Sequence, residues 1–302
     1  MRMLHPHPGH DLTYNDVFMV PSLSSVGSRL GVDLSTPDGI GTTIPVVVSN
    51  MTAVAGRRMA EVVARRGGLT VLPQDIPTEV IADVVAWVKA RHPVFETPIT
   101  LGEHDTIGEA LSLIHKRAHG AIVVVDTDER PVGVFTEQDS AGFDRFTQMR
   151  HVMTTDLVTL SAEVTPEEAF DVLGEHRLSV APVIGGDGRL LGVMTRRGAL
   201  RSTIYRPALD PDGRLLTSVA IGMNADPVGR ARELVALGVD VIVVDTALGH
   251  QSQMISVVEQ VRGAVPEARI VAGNGVPGEG SRHRGEAGAG RVRGGGGPGG
   301  LC

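Results

Sequence analysis

The chain has very little cysteine and no excess of basic charge. Its 302 residues include one cysteine, which excludes a framework of disulfide bonds and is typical of a protein from a reducing compartment. The formal net charge is −7 and the basic residues are dispersed, so no surface for nucleic acid is indicated. No apolar run approaches the ~20 residues of a membrane-spanning helix, and the N-terminus lacks the apolar segment of a secretion signal. We therefore expect a cytoplasmic protein with no nucleic-acid and no membrane partner.

Residues 1–92 alternate short apolar runs with helical periodicity. Residues 44–49 are typical of a buried strand, residues 57–66 form an amphipathic helical pattern, and residues 69–72 are typical of the next strand. A strand, a helix and a strand at this spacing predict a βαβ unit, which belongs to a parallel sheet or barrel.

Residues 93–205 contain an internal repeat, with copies at about 93–148 and 149–205. Each copy predicts a short strand, a helix and two further strands. The predicted elements are 98–100, 106–117, 121–126 and 131–136 in the first copy, and 157–159, 166–176, 179–183 and 190–195 in the second. A repeat of this size indicates two stacked units with one core. The pattern resembles a pair of CBS domains, a module that binds adenine nucleotides between its halves; the alternative is a packing module without ligand.

Residues 206–302 return to alternating strands and helices. Strands are predicted at 215–220, 241–245 and 269–273, with helices at 227–237 and at 250–261, the second ended by Gly263. From residue 277 the chain is rich in glycine and arginine. No ordinary helix is expected at 285–290, because each interior glycine costs about 1 kcal/mol relative to alanine.

Polar residues follow several predicted strands, at 49–51, 245–246 and 273–274. In a (β/α)8 barrel the active site collects at these carboxyl ends of the strands. The alternative is that the same residues only cap the helices that follow. Cys302 lies on a glycine-rich turn, where a lone thiol is a candidate nucleophile, although a terminal cysteine can also be accidental.

Four segments together resemble the IMP dehydrogenase/GMP reductase family: 14–21 (YNDVFMVP), 45–51 (PVVVSNM), 244–250 (VDTALGH) and 271–274 (VAGN). Runs at 279–282, 286–289 and 297–302 continue the resemblance, with the apolar residues of the sixth barrel strand replaced by arginine, glycine and proline. The resemblance implies an α/β fold, an incomplete (β/α)8 TIM barrel with a tandem CBS module inserted between its second helix and third strand. The segments 1–92 and 206–302 would form the barrel.

The resemblance also assigns residues to roles. Cys302 matches the catalytic cysteine, which attacks C2 of the purine to form a thioimidate. The residues that match the dinucleotide site are Asp245, Thr246, Ala247, Gly295, Gly296 and Gly297. Ser49, Met51 and Gly300 match the nucleotide pocket, with Gly300 standing where relatives commonly carry serine. Gly297, Gly299 and Cys302 match positions whose carbonyls hold a monovalent cation, K+, in the dehydrogenases.

The favoured reaction is NADPH-dependent reductive deamination of GMP to IMP. Asn50 followed by Met51, together with residues 71–74 (VLPQ), is most similar to a CBS-containing reductase group of actinobacteria. One alternative is IMP dehydrogenase with NAD, and another is a non-catalytic protein that senses adenine nucleotides. The family implies a tetramer or octamer. Because the predicted barrel strands are fewer than eight, we expect a fragment or a frame-damaged version of a longer enzyme, without measurable turnover on its own.

Overall fold

A computed structural model of the protein describes residues 15–16, 18–246, 251–275, 282–283 and 285–294, with only the backbone described at 274–275 and 291–294. The chain divides into two compact units, Met1–Asp33 and Leu34–Cys302. The first unit contains a short 3-10 turn, Arg29–Gly31, whose Leu30 amide donates to the Ser28 hydroxyl at 3.3 Å. All other elements belong to the second unit.

Among the described residues, the second unit contains twelve strands, seven α-helices and two short 3-10 helices, Glu137–Ser140 and Met149–His151. In chain order the strands and α-helices are β1 (Val47–Val48), α1 (Arg57–Arg65), β2 (Leu69–Leu72), α2 (Thr78–Lys89), β3 (Thr100–Gly102), α3 (Ile107–Ile114), β4 (Ala121–Val125), β5 (Pro131–Thr136), β6 (Leu160–Ser161), α4 (Pro166–Glu175), β7 (Val180–Ile184), β8 (Leu190–Thr195), α5 (Arg196–Ser202), β9 (Ser218–Ile221), α6 (Pro227–Ala236), β10 (Val241–Asp245), α7 (Ser252–Ala264), β11 (Arg269–Gly275) and β12 (Arg291–Gly294).

Six strands form one parallel sheet, the main sheet, in the order β1-β2-β9-β10-β11-β12. Helices connect most of its neighbouring strands, which is the arrangement that parallel pairing requires. The chain leaves the main sheet after α2 and returns at β9. Between these points, β3–α5 form a separate part of the fold, here called the module.

Both faces of the main sheet are buried. Val241 and Val243 of β10 pack with Val71 and Val271 on the inner face, whereas Ile242 and Val244 pack against the helices on the outer face. This explains why β10 is a continuous apolar run and not an alternating one, as is usual for parallel strands covered on both sides. The α/β class and the parallel sheet were predicted correctly.

The module consists of two βαββ copies, each with a three-stranded sheet, β3-β4-β5 and β6-β7-β8. Both copies begin their helix with the same reciprocal cap. The Thr106 and Thr165 hydroxyls accept from the third residue of each helix, and the Glu109 and Glu168 carboxylates accept from the threonine amides. The two copies are also joined by backbone bridges. Glu96, before the first copy's sheet, pairs with Val193 in the last strand of the second copy, and Thr154, before the second copy's sheet, pairs with Val134 in the last strand of the first.

Several elements differ from the sequence predictions. Strands β1, β3 and β9 and helix α3 have other bounds than the predicted 44–49, 98–100, 215–220 and 106–117. Strand β6 is Leu160–Ser161 and not 157–159, since its position is fixed by pairing with Val183 and Ile184. Helix α7 passes through Gly263 and ends at Ala264, because an interior glycine costs only about 1 kcal/mol whereas Pro266 cannot continue a helix. The sixth strand of the main sheet, β12, forms despite its arginine and glycine content, because backbone hydrogen bonds to β11 carry the pairing.

Among the described residues, the helices are too short or too polar for any of them to cross a bilayer.

Candidate active site

The carboxyl ends of the main-sheet strands converge. Neighbouring strands lie about 4.8 Å apart, so on a flat sheet β1 and β10 would be separated by about 14 Å. The side-chain amide of Asn50, after β1, nevertheless donates to Asp245 Oδ2, at the end of β10, at 2.8 Å. The sheet is therefore curled enough for polar groups from distant strands to meet, as in a partial TIM barrel.

A cavity of about 750 Å³ opens at these strand ends. It lies within the size range of small-molecule sites. Asp245 and Thr246 form one side, and Gln74 and Gly222 form another. A Cβ at Gly222 would lie 2.8 Å from Gln74 Oε1, so the small residue leaves room for the Gln74 side chain beside the end of β9.

The turn after β9 supplies a third side of this cavity. Asn224 and Ala225 line it, and Ala225 has a φ of 62°, which is unusual for a residue with a side chain. Asp226 then begins α6 by accepting from the Gly229 amide at 2.8 Å. Arg230 fixes the turn to the start of α2 through the Thr78 hydroxyl and through the Ile76 carbonyl at 3.0 Å.

The sequence patterns did not identify residues 222–226 as site candidates. Gln74, on another side of the cavity, was noted only as part of the segment 71–74. A positional signal was available, because these residues directly follow an apolar strand, as do the residues at 49–51. The glycine and asparagine content of 222–226 is more typical of a loop than of a catalytic group, so residue type gave no indication.

Four of the predicted site residues lie in the described part of the chain. Asp245 and Thr246 reach the cavity, and the Thr246 amide donates to the Gly273 carbonyl of β11 at 2.9 Å. Ser49 is half-buried after β1, and Met51 is 52% exposed beside it. The other predicted site residues lie outside the described residues: Ala247, Gly295, Gly296, Gly297, Gly299, Gly300 and Cys302.

The described residues bring no three His, Cys, Asp or Glu side chains together as a metal site would require. The carbonyl groups of Gly297, Gly299 and Cys302 are not among them, so the monovalent-cation prediction stays a prediction. A cation held by backbone carbonyls would not need such a cluster of side chains.

A curled parallel sheet with polar residues gathered at its carboxyl ends defines an α/β enzyme fold of the barrel type. The profile of the IMP dehydrogenase / GMP reductase domain matches residues 11–302. The chain therefore belongs to the IMP dehydrogenase/GMP reductase family, as the sequence motifs indicated.

Several curated relatives match along almost the whole chain. A GMP reductase of Mycobacterium tuberculosis is 50% identical over 303 residues, which is 100% of this chain and 63% of the relative. An IMP dehydrogenase of Staphylococcus aureus is 36% identical over 96% of this chain and 61% of its own length. The chain thus spans somewhat less than two thirds of the length of these relatives.

Solved structures of GMP reductase also resemble this chain. GMP reductase from Trypanosoma brucei in complex with guanosine 5'-triphosphate is 31% identical, with a TM-score of 0.61 over 96% of this chain and 72% of that one. A variant of that enzyme in complex with guanosine 5'-monophosphate has a TM-score of 0.62, also at 31% identity, and covers 95% of this chain and 63% of that one.

Proposed function

We propose that the protein catalyses the NADPH-dependent reductive deamination of GMP to IMP. The observation that carries this proposal is the difference in identity between the two branches of the family. The GMP reductase of M. tuberculosis is 50% identical, whereas the IMP dehydrogenases of S. aureus and Nitrosopumilus maritimus are 36% and 33% identical. Asn50 adds support. With Met51 it forms the segment that resembles the reductases, and in the structure its amide contacts Asp245.

The described site fits one part of a nicotinamide dinucleotide. Asp245 presents a carboxylate at the cavity edge, and a carboxylate accepts hydrogen bonds from ribose hydroxyls. The Asn50 amide holds one of its oxygens at 2.8 Å and so restricts the orientation of the group. Thr246, Ala247, Gly295, Gly296 and Gly297 would complete this site, and the bound dinucleotide would supply the hydride.

The purine would bind beside it, against Ser49, Met51 and Gly300. The Cys302 thiolate would attack C2 of GMP, the C2–N bond would break with release of ammonia, and a thioimidate would remain. Addition of hydride at C2 followed by loss of the thiolate then yields IMP. The carbonyls of Gly297, Gly299 and Cys302 would hold K+ if this chain shares the cation site of the dehydrogenases.

The test is a paired assay of the gene product, expressed with the codons that follow codon 302 in frame. We expect loss of NADPH absorbance with GMP and no NADH formation from IMP and NAD. NADH formation alone would make the protein an IMP dehydrogenase, and activity with neither pair would favour the non-catalytic alternative.

Replacing Asp245 with alanine should raise the KM for the dinucleotide by about 10- to 100-fold and lower kcat much less. The carboxylate contacts the cofactor and not the bond that breaks, and a lost charged hydrogen bond costs about 1.5–3 kcal/mol. Steady-state kinetics with NADPH varied at saturating GMP measures this. Asp226→Ala is the matched control, because it removes a carboxylate that caps α6 at the other side of the cavity. An unchanged KM in Asp245→Ala would contradict the ribose role.

We further propose that the module is a tandem CBS pair and binds an adenine nucleotide between its copies. The support is that the two βαββ copies have matching helix caps and are joined by reciprocal bridges. The alternative, a packing module without ligand, predicts no response to nucleotides. The proposal also includes a cytoplasmic location and, by family, a tetramer or octamer.

Nucleotide binding at the module should raise the thermal unfolding midpoint. At 100-fold excess over Kd, a ligand adds about 2.7 kcal/mol, and so we expect ATP to raise the midpoint by several degrees. The measurement is a thermal melt of the whole chain with ATP, and with inosine as a nucleoside that lacks phosphates. Equal midpoints with and without ATP would leave the module as packing only.

A further inference from the structure

Asn50 lies at the tip of a tight turn that follows β1. The Met51 amide donates to the Ser49 carbonyl at 2.8 Å, which closes a three-residue turn of the γ type. The Met51 carbonyl in turn accepts from the amides of Val54 and Ala55, at 2.9 and 2.8 Å. Because the backbone is held on both sides of Asn50, the turn sets the direction of its side chain.

The acceptor of this side chain, Asp245, has a backbone that the sheet holds in place. Asp245 is paired with Gly273 of β11, and the next amide, that of Thr246, donates to the Gly273 carbonyl at 2.9 Å. The Asn50 side-chain amide donates to Asp245 Oδ2 at 2.8 Å, and both residues are half-buried. Strand pairing therefore fixes the position of the Asp245 backbone, and the bond from Asn50 restricts the direction of its carboxylate.

The residues on either side of Asn50 belong to the other half of the proposed site. Ser49 is half-buried and Met51 is exposed, so a ligand bound against these residues would cover the Met51 side chain. In the proposed function the purine lies against these two residues, and Asp245 contacts the ribose of the dinucleotide. Asn50 therefore links the purine wall to the dinucleotide carboxylate by one hydrogen bond.

We propose that Asn50 is a positioning residue that couples the binding of the two substrates. A purine nucleotide bound against Ser49 and Met51 holds the turn, the turn holds Asn50, and Asn50 orients Asp245 toward the ribose. The free-energy cost of ordering the carboxylate is then met before the dinucleotide arrives. Linkage requires the dinucleotide to tighten purine binding by the same factor. This inference rests on the proposed function, but it concerns the coupling of two binding events and not the direction of the reaction.

The test measures NADPH binding to the gene product of the paired assay, with and without IMP. These two ligands do not react with each other, because IMP is the product of the proposed reaction and NADPH already carries the hydride. NADPH fluorescence gives its Kd, and saturating IMP should lower this Kd by at least about fivefold in wild type. In Asn50→Ala and in Asp245→Ala the factor should fall below about twofold, and the double variant should show no further loss of coupling.

A second variant, Asn50→Asp, separates a loss of orientation from a loss of folding. It keeps the size of the side chain but replaces the N–H donor with an acceptor, so the two carboxylates can form a hydrogen bond only when one of them is protonated. The coupling factor should be lost at about pH 8 and partly return at about pH 5.5, whereas the factor of Asn50→Ala should stay low at both. Other ionisable groups in the described cavity wall are the same in both variants: Asp75, Asp226, Arg230 and Glu233.

Asn224→Ala is the matched control, because Asn224 is a second side-chain amide in the same cavity wall. IMP should lower the Kd for NADPH in this variant by the same factor as in wild type. The proposal is overturned by wild-type coupling in Asn50→Ala, by an absence of coupling in wild type, or by an equal loss of coupling in Asn224→Ala. NADH formation in the paired assay would overturn the proposed reaction alone, and the coupling is then measured with NADH in place of NADPH.

Discussion

Replacing Lys89 with methionine is expected to lower the free energy of unfolding by about 3–5 kcal/mol. Lys89 ends helix α2 and donates to Asp210 at 2.8 Å and to Asp240 at 2.6 Å. The exposed fractions of the three side chains are 9%, 2% and 12%, so little water replaces the lost ammonium. Methionine conserves the apolar stem and leaves two carboxylates facing each other in a buried space.

The contacts around this lysine show why the loss should be large. Asp240 also accepts from the amide and hydroxyl of Thr217, at 2.7 and 3.0 Å, and so fixes the chain before β9 and β10. Asp210 accepts from the amide and guanidinium of Arg214, at 2.8 and 3.0 Å. Removing the lysine therefore affects the point where the chain re-enters the main sheet from the module.

Urea unfolding followed by Trp87 emission measures the change. Arg189→Met is the control, because Arg189 forms only exposed ion pairs, at 3.8 Å with Glu129 and 3.7 Å with Asp187. Such pairs contribute about 0–1 kcal/mol. A Lys89→Met protein as stable as the control would show that the buried network contributes little.

The same variant should change the response to acid. Burial by itself would raise the pKa of Asp210, but the hydrogen bonds from Lys89 and Arg214 outweigh it and hold this pKa below its usual value. A depressed carboxyl pKa stabilises the fold above the unfolded pKa of about 3.9, and the contribution is lost as pH falls through the folded pKa. Lys89→Met removes the leading hydrogen bond and keeps the burial, so acid unfolding should begin at higher pH.

Continuous apolar runs explain which elements could be predicted from the sequence. Strands at 69–72, 131–136, 190–195 and 241–245 have the predicted bounds, because both faces of a parallel strand, or the inner face of a small sheet, must be apolar. Strand β6 is different. Its two residues are selected by pairing with β7, and pairing is a tertiary property that a short polar sequence does not encode locally.

The candidate site could be predicted only as a location. Residues that follow parallel strands lie at the same edge of the sheet. This rule placed Asn50 and Asp245 at the site but did not predict the hydrogen bond between them. That contact depends on the curl of the sheet, which brings together residues that are 195 positions apart. The ion pairs Glu61–Arg117 and Lys89–Asp240 could not be predicted for the same reason, because each joins elements from distant parts of the chain.

In the gene product of the paired assay, replacing Cys302 with serine is expected to lower turnover of GMP by at least about 10³-fold while nucleotide binding stays nearly unchanged. The proposed reaction needs a thiolate that attacks C2 of the purine and later leaves. A serine hydroxyl is a much weaker nucleophile at neutral pH, and residues 1–302 contain no other cysteine. The glycine-rich turn would contribute backbone N–H groups that stabilise the developing negative charge in both proteins.

The measurement pairs NADPH consumption with the Kd for GMP, each in wild type and in Cys302→Ser. Asp245→Ala serves as the contrasting variant, because it should raise the KM for the dinucleotide and keep most of kcat. A loss of GMP binding in Cys302→Ser would show that the substitution disturbs the pocket, and the kinetic loss could then not be assigned to the nucleophile. Turnover in Cys302→Ser similar to wild type would reject the covalent mechanism. In that mechanism the thiolate must bond to C2 before ammonia leaves, and hydride is added only afterwards.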